Sequence, residues 1–89
     1  MAIMKDLEKS LKSLANRRRL AILKYLKENR EASVTEIAGA IKLSLKATSK
    51  HLRILATTDI VEREQRSLSM FYRLSPEQKP AVKYIISLL

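Results

Sequence analysis

The feature that most constrains this chain is a change of rhythm near residue 60. Up to Thr57 the apolar residues recur every three or four positions. From Ile60 they recur every second one, clearest where Leu68, Met70, Tyr72 and Leu74 alternate with Ser69, Phe71 and Arg73. After Pro80 the spacing is helical again. A long helical part, one short hairpin and a final helix is a narrow choice of architecture.

Within the helical part, Ile3, Leu7, Leu11 and Leu14 form a stripe that predicts a helix from about Lys5 to Ala15. Asn16 can cap a second helix carrying Leu20, Ile22, Leu23 and Leu26, which the polar run KENRE ends. Ser33-Val34-Thr35-Glu36 is a capping box, because the serine hydroxyl and the glutamate carboxylate can each satisfy the other residue's amide. It opens a short third helix with Ile37, Ala38 and Ile41. Ser44 then caps a fourth, from about Leu45 to Thr57. Its Leu45, Thr48, Leu52, Leu55 and Ala56 share one arc, while Lys46, Ser49, Lys50 and Arg53 fall on or beside the opposite one. The hairpin strands are predicted at about Ile60–Gln65 and Ser69–Leu74, with Arg63, Arg66 and Arg73 pointing away from the apolar side. Pro80 lacks an amide, so the last helix should begin near Lys79 and run to the C-terminus.

Charge narrows the class of partner. Eighteen Lys and Arg against nine Asp and Glu leave a net charge of +9 on 89 residues, which favours a polyanion. The absence of cysteine excludes disulfides and thiolate metal sites. No apolar run is long enough to span a membrane and no signal-peptide core is visible, so the expected setting is cytoplasmic, beside the nucleoid and without a membrane partner. One glycine and two prolines leave little room for linkers, and a single domain over residues 1–89 is expected. With no phosphate loop, no nucleophile pair and scattered carboxylates, no catalytic residue, cofactor or metal ligand is implied.

Three helices, the last two joined by a tight turn, and then a hairpin are the order of a winged helix-turn-helix, in which the second helix of the turn motif enters the major groove. The residues SLANRRRLAIL (13–23), SVTEIAGAIKLSLKATSKHLRIL (33–55), IVERE (60–64) and FYRLS (71–75) also resemble the ArsR-type winged-helix transcriptional regulators. That resemblance implies a repressor that is a homodimer built from the first and last helices and binds an inverted repeat in double-stranded DNA. It also implies that the positions of Lys46, Ser49, Lys50 and His51 face the DNA. The chain departs from the family where metal sensors carry cysteine, histidine or carboxylate ligands. It also has Asp59 where the family often has glycine, and no glycine near the wing tip at Ser67.

The fold expected is therefore mainly α with a small β-hairpin, ordered α-α-α-α-β-β-α, dimerising through its terminal helices. The expected DNA contacts are Ser44, Lys46, Ser49, Lys50, His51, Arg53 and, at the wing tip, Arg66. His51, the only histidine, has a second reading as a structural hydrogen-bonding group. Three arginines at the start of the second helix oppose its dipole. Arg19 is read as structural, and one of the three as pairing with Glu62 or Glu64. Leu7, Leu11, Val82, Ile85, Ile86 and Leu89 are expected at the dimer interface, since a monomer cannot easily hide both terminal stripes. The competing function is a winged helix that coats nucleic acid without reading its sequence, or docks on protein. No effector site is recognisable.

Overall fold

Polar caps set the starts of three helices in the computed structural model, which describes residues 2–89. Helix α1 (Ala2–Leu14) begins three residues before the predicted start. Asn16 then accepts from the Arg19 amide at 3.1 Å and opens α2 (Arg17–Asn29). Ser33 and Glu36 form the reciprocal box, at 3.2 and 2.8 Å, that opens α3 (Val34–Ile41). Ser44 accepts from the Ala47 amide at 3.1 Å to open α4 (Leu45–Thr57). Each cap satisfies an amide that the first helical turn leaves without a partner.

Between α2 and α3 lies a strand that the sequence did not reveal, β1 (Glu31–Ser33). It pairs antiparallel with β3 (Ser69–Leu74), which pairs on its other edge with β2 (Val61–Arg66), giving the order β1-β3-β2. The hairpin is therefore two strands of a three-stranded sheet. Helix α5 (Pro80–Ser87) has its proline at the first turn, as expected.

Leu14, Ile22, Leu23, Leu26, Ile37, Leu52, Leu55, Ile60, Val61 and Tyr72 form one core, with Val82 and Ile86 joining it from α5. This corrects the reading of the last helix. Val82 is 2% and Ile86 8% exposed within the chain's own core, while Ile85 and Leu89 pack partly against it. Val82 and Ile86 are thus turned into the chain's own core, while Ile85 and Leu89 keep part of their surface exposed. Tyr84 on α5 and Leu88 at its C-cap are large and exposed, as are Ile3, Met4, Leu7 and Leu11 on α1. Two further residues leave their predicted faces. Leu45 is 52% exposed at the first turn of α4, and Leu68 is 97% exposed at the hairpin tip.

Among the described residues, four other than glycine adopt positive φ, all at element junctions: Arg30 (63°), Lys42 (56°), Asp59 (59°) and Ser67 (55°). The single glycine, Gly39, lies inside α3, so the turns are made by residues for which this conformation is less comfortable. Asp59, at the site where the family often has glycine, tolerates it best of the four.

Candidate nucleic-acid interface

The α3–α4 connection is short because Lys42 turns left-handed and the Lys42 and Leu43 amides bond back to the last carbonyls of α3, the Leu43 amide reaching Ala38 at 3.0 Å. Helix α4 then crosses the domain with Thr48, Leu52 and Leu55 fully buried. Burying leucine side chains such as these two is worth about 1.5–3 kcal/mol each and fixes the roll of the helix. Thr48 Oγ1 is buried without a hydrogen-bond partner.

That roll places Lys46, Lys50 and Arg53 in solvent. Ser44, Lys46, Ala47, Lys50 and Arg53 line one shallow concavity of about 410 Å³. Helix α4 contains no Asp or Glu, and among the described residues none of its three cations has a carboxylate within salt-bridge distance. Ser44 Oγ accepts from the Ala47 amide, which leaves its proton free to be donated outward. Ser49 is half-buried on the flank. The structure thus brings Ser44, Lys46, Lys50 and Arg53 together on one surface with Ser49 beside it, a set of donors and positive charge suited to phosphate oxygens.

His51 is half-buried and turned toward α2, where its Nδ1 lies 3.1 Å from Arg19 Nη1. Burial holds the imidazole below its ordinary pKa, and the positive charges of Arg19, Arg18 and Lys50 act in the same direction. Arg19 is structural, as the sequence suggested, but among the described residues no carboxylate pairs with it. Its Nε donates to the Ser13 carbonyl at 2.6 Å and its Nη2 to the Lys12 carbonyl at 3.2 Å. Glu62 and Glu64 pair elsewhere, with cations on the sheet.

On the outer face of that sheet, Arg66 donates both Nη groups to Glu31, at 2.8 and 2.9 Å, and also reaches Glu64 at 3.1 Å. Arg73 binds Glu62 at 2.8 Å and Glu64 at 3.0 Å. The Arg66 guanidinium also lies over the Phe71 ring, 4.7 Å from its centroid. Hydrogen bonds from Arg66 are the main reason that the Glu31 and Glu64 carboxyls titrate below the usual range, and the same network raises the pKa of both arginines. Arg66 is therefore not a free cation at the wing tip. Arg63 stands opposite Tyr72 in the register and so shares the core-facing side of the sheet, contrary to the predicted alternation, yet it is exposed.

Comparison with known proteins decides what this arrangement is. Residues 16–63, from the cap of α2 through the start of β2, match the model of the bacterial regulatory protein arsR family. The chain belongs to the ArsR family. It is similar to the transcriptional activator HlyU of Vibrio cholerae, with 40% identity over 79 residues that cover 89% of this chain and 69% of the relative. Its fold is similar to the homodimeric winged helix-turn-helix DNA-binding domain of a possible ArsR-family transcriptional regulator from Mycobacterium bovis, seen in solution by NMR. That likeness has a TM-score of 0.84 and 30% identity, and covers 98% of this chain and 77% of that one. It is also similar to the transcriptional repressor PagR of Bacillus anthracis, with a TM-score of 0.80 and 28% identity, covering 98% and 95% of the two chains. The fold is a winged helix-turn-helix with α3 and α4 as the turn motif, β2–β3 as the wing and β1 extending the wing sheet.

Sequence reasoning flagged the arginine cluster at the start of α2 as an anomaly and missed its partner. The only signal for it was the opposition of three cations to the helix dipole.

Proposed function

We propose that this chain is a sequence-specific regulator of transcription that binds double-stranded DNA as a homodimer. Helix α4 enters the major groove of each half-site of an inverted repeat. The observation that carries this reading is the unpaired cationic face of α4, on the helix that the α3–α4 turn presents. Lys46, Lys50 and Arg53 contact the DNA with Ser44 and Ser49, while Arg66 serves chiefly to hold the wing. The whole chain acts as one DNA-binding domain.

The dimer is supported by apolar surface that the chain does not cover. Ile3, Met4, Leu7 and Leu11 on α1, Tyr84 on α5 and Leu88 at its C-cap are large and exposed. A second copy covers the α1 face and the outer side of α5, which keeps Leu7 and Leu11 at the interface and replaces Val82 and Ile86 with Tyr84 and Leu88. The relative from Mycobacterium bovis is described as homodimeric, which supports a homodimer here. Relatives include a named activator and a named repressor, so the sign of regulation depends on where the site lies. Overlap with a promoter makes this chain a repressor.

The test is selection from randomised duplexes at about physiological salt, where nonspecific electrostatic binding is already weak. The expected product is an inverted repeat with half-sites about one helical turn, roughly 34–36 Å, apart. Measurable binding without enrichment of any sequence contradicts the reading and favours a coat of charge.

A further inference from the structure

Arg19 connects three helices. Through Nε and Nη2 it takes the Ser13 and Lys12 carbonyls at the C-terminal end of α1. From its own place in the first turn of α2, its Nη1 reaches His51 on α4 at 3.1 Å. A guanidinium has donors only, so the imidazole must accept at Nδ1, and its single proton then lies on Nε2. Among the described residues Nε2 has no hydrogen-bond partner, and it is not among the buried unpartnered atoms, so it reaches solvent. The contact therefore demands one protonation state and one tautomer of the only histidine in the protein.

We infer that Arg19 is a positioning residue for DNA reading: by donating to neutral His51 it holds α4 against the α1–α2 elbow, and protonation of His51 releases that hold and weakens operator binding. This inference rests on the reading of α4 as the recognition helix. The imidazolium loses its acceptor at Nδ1 and sets a second cation 3.1 Å from Arg19. No anion offsets it, since the charges acting on the ring are Arg18 and Arg19 from α2 and Lys50 from α4, all positive, while α1 presents carbonyls to Arg19. The ring's lowered pKa agrees with this geometry. A base held neutral contributes fully above the ordinary histidine value of about 6.5, and that contribution is lost as pH falls through the lowered value. A histidine that touched phosphate directly would act with the opposite sign, because an imidazolium gains beside a polyanion.

Operator affinity of the full chain at constant salt is measured from pH 7.5 to 5.5 for the wild type, His51→Asn and Arg19→Lys. The wild type is expected to weaken progressively as pH falls through the ring's lowered value, by less than about tenfold at pH 5.5, the limit that an ordinary histidine value of about 6.5 would set. His51→Asn offers an amide oxygen where Nδ1 stood, so whatever affinity it has at pH 7.5 should no longer depend on pH. Arg19→Lys cannot serve all three acceptors and should bind weakly at every pH. A wild-type affinity that stays flat or rises on acidification overturns the inference, as does an equal fall in His51→Asn. NMR of the imidazole nitrogens in the DNA-free wild type tests the contact itself, with neutral Nε2–H expected at pH 7.5 and Nδ1–H overturning it. Absence of any duplex binding at pH 7.5 would instead remove the DNA reading while leaving that NMR result to stand or fall alone.

Discussion

Helix α4 and the outer face of the wing sheet are both rich in charge, yet they present opposite surfaces to a polyanion. On α4, Lys46, Lys50 and Arg53 stand without a single acidic residue in the helix. On the sheet, Arg66 and Arg73 are closed into a network with Glu31, Glu62 and Glu64, so three carboxylates answer two guanidiniums. A basic residue is available to DNA when its charge is not already answered, and a count along the chain cannot tell the two cases apart. Pairing also has a conformational effect. Bonds from Arg66 to Glu31 tie the tip of β2 to β1 across the sheet, so the network stiffens the wing while removing its charge.

The sharpest way to break this comparison is at Lys50. Lys50→Ala should weaken operator binding roughly tenfold, the scale of a lost contact on a recognition helix, with an unchanged thermal midpoint because the side chain is exposed and unpaired. Titration of labelled duplex together with a melting curve measures both, and an unchanged affinity would take α4 out of the interface. A smaller effect on binding is expected at the wing. Arg66→Ala should keep affinity within about threefold, since the charge removed is one the protein had already neutralised. Its effect belongs to stability in acid. Glu31 and Glu64 titrate low chiefly because Arg66 donates to them, so they stabilise the fold above the ordinary glutamate value of about 4.3, and that stabilisation is lost as pH falls through their lowered values. In Arg66→Ala this acid-dependent loss should shrink, which denaturant midpoints between pH 5 and pH 3 would detect. A tenfold loss of operator affinity in this variant would mean that the wing surrenders its ion pairs to the DNA.

What the sequence revealed of this molecule was local. Asn16, Ser33 and Ser44 sit within three residues of the amides they cap, so the starts of α2, α3 and α4 could be read directly. Strand β1 could not. It has three residues, follows a turn at Arg30 with no glycine to mark it, and exists because it pairs with β3 some forty positions later. The division of α5 was hidden for a related reason. Its apolar residues run almost all round, and only the position of α2 and the core decides that Val82 and Ile86 turn inward while Tyr84 and Leu88 turn out. Side-chain partners were the least legible part of the candidate site. Arg66 meets Glu31 across 35 positions and Arg19 meets His51 across 32, and neither spacing carries a periodic signal. The cationic arc of α4 was legible because a helix turns residues 46, 50 and 53 to one side whatever packs behind it.

The measurement that tests the central claim most directly is the salt dependence of operator binding for the wild type and for the double variant Lys46→Ala/Lys50→Ala. If about eight phosphates are neutralised across the dimer, log K should fall against log salt with a slope near −7. Each lysine on phosphate adds about one unit, so removing two from each of two subunits should reduce the slope by about four. A double variant that binds more weakly but keeps the wild-type slope would contradict the account, because Lys46 and Lys50 would then not be meeting phosphate.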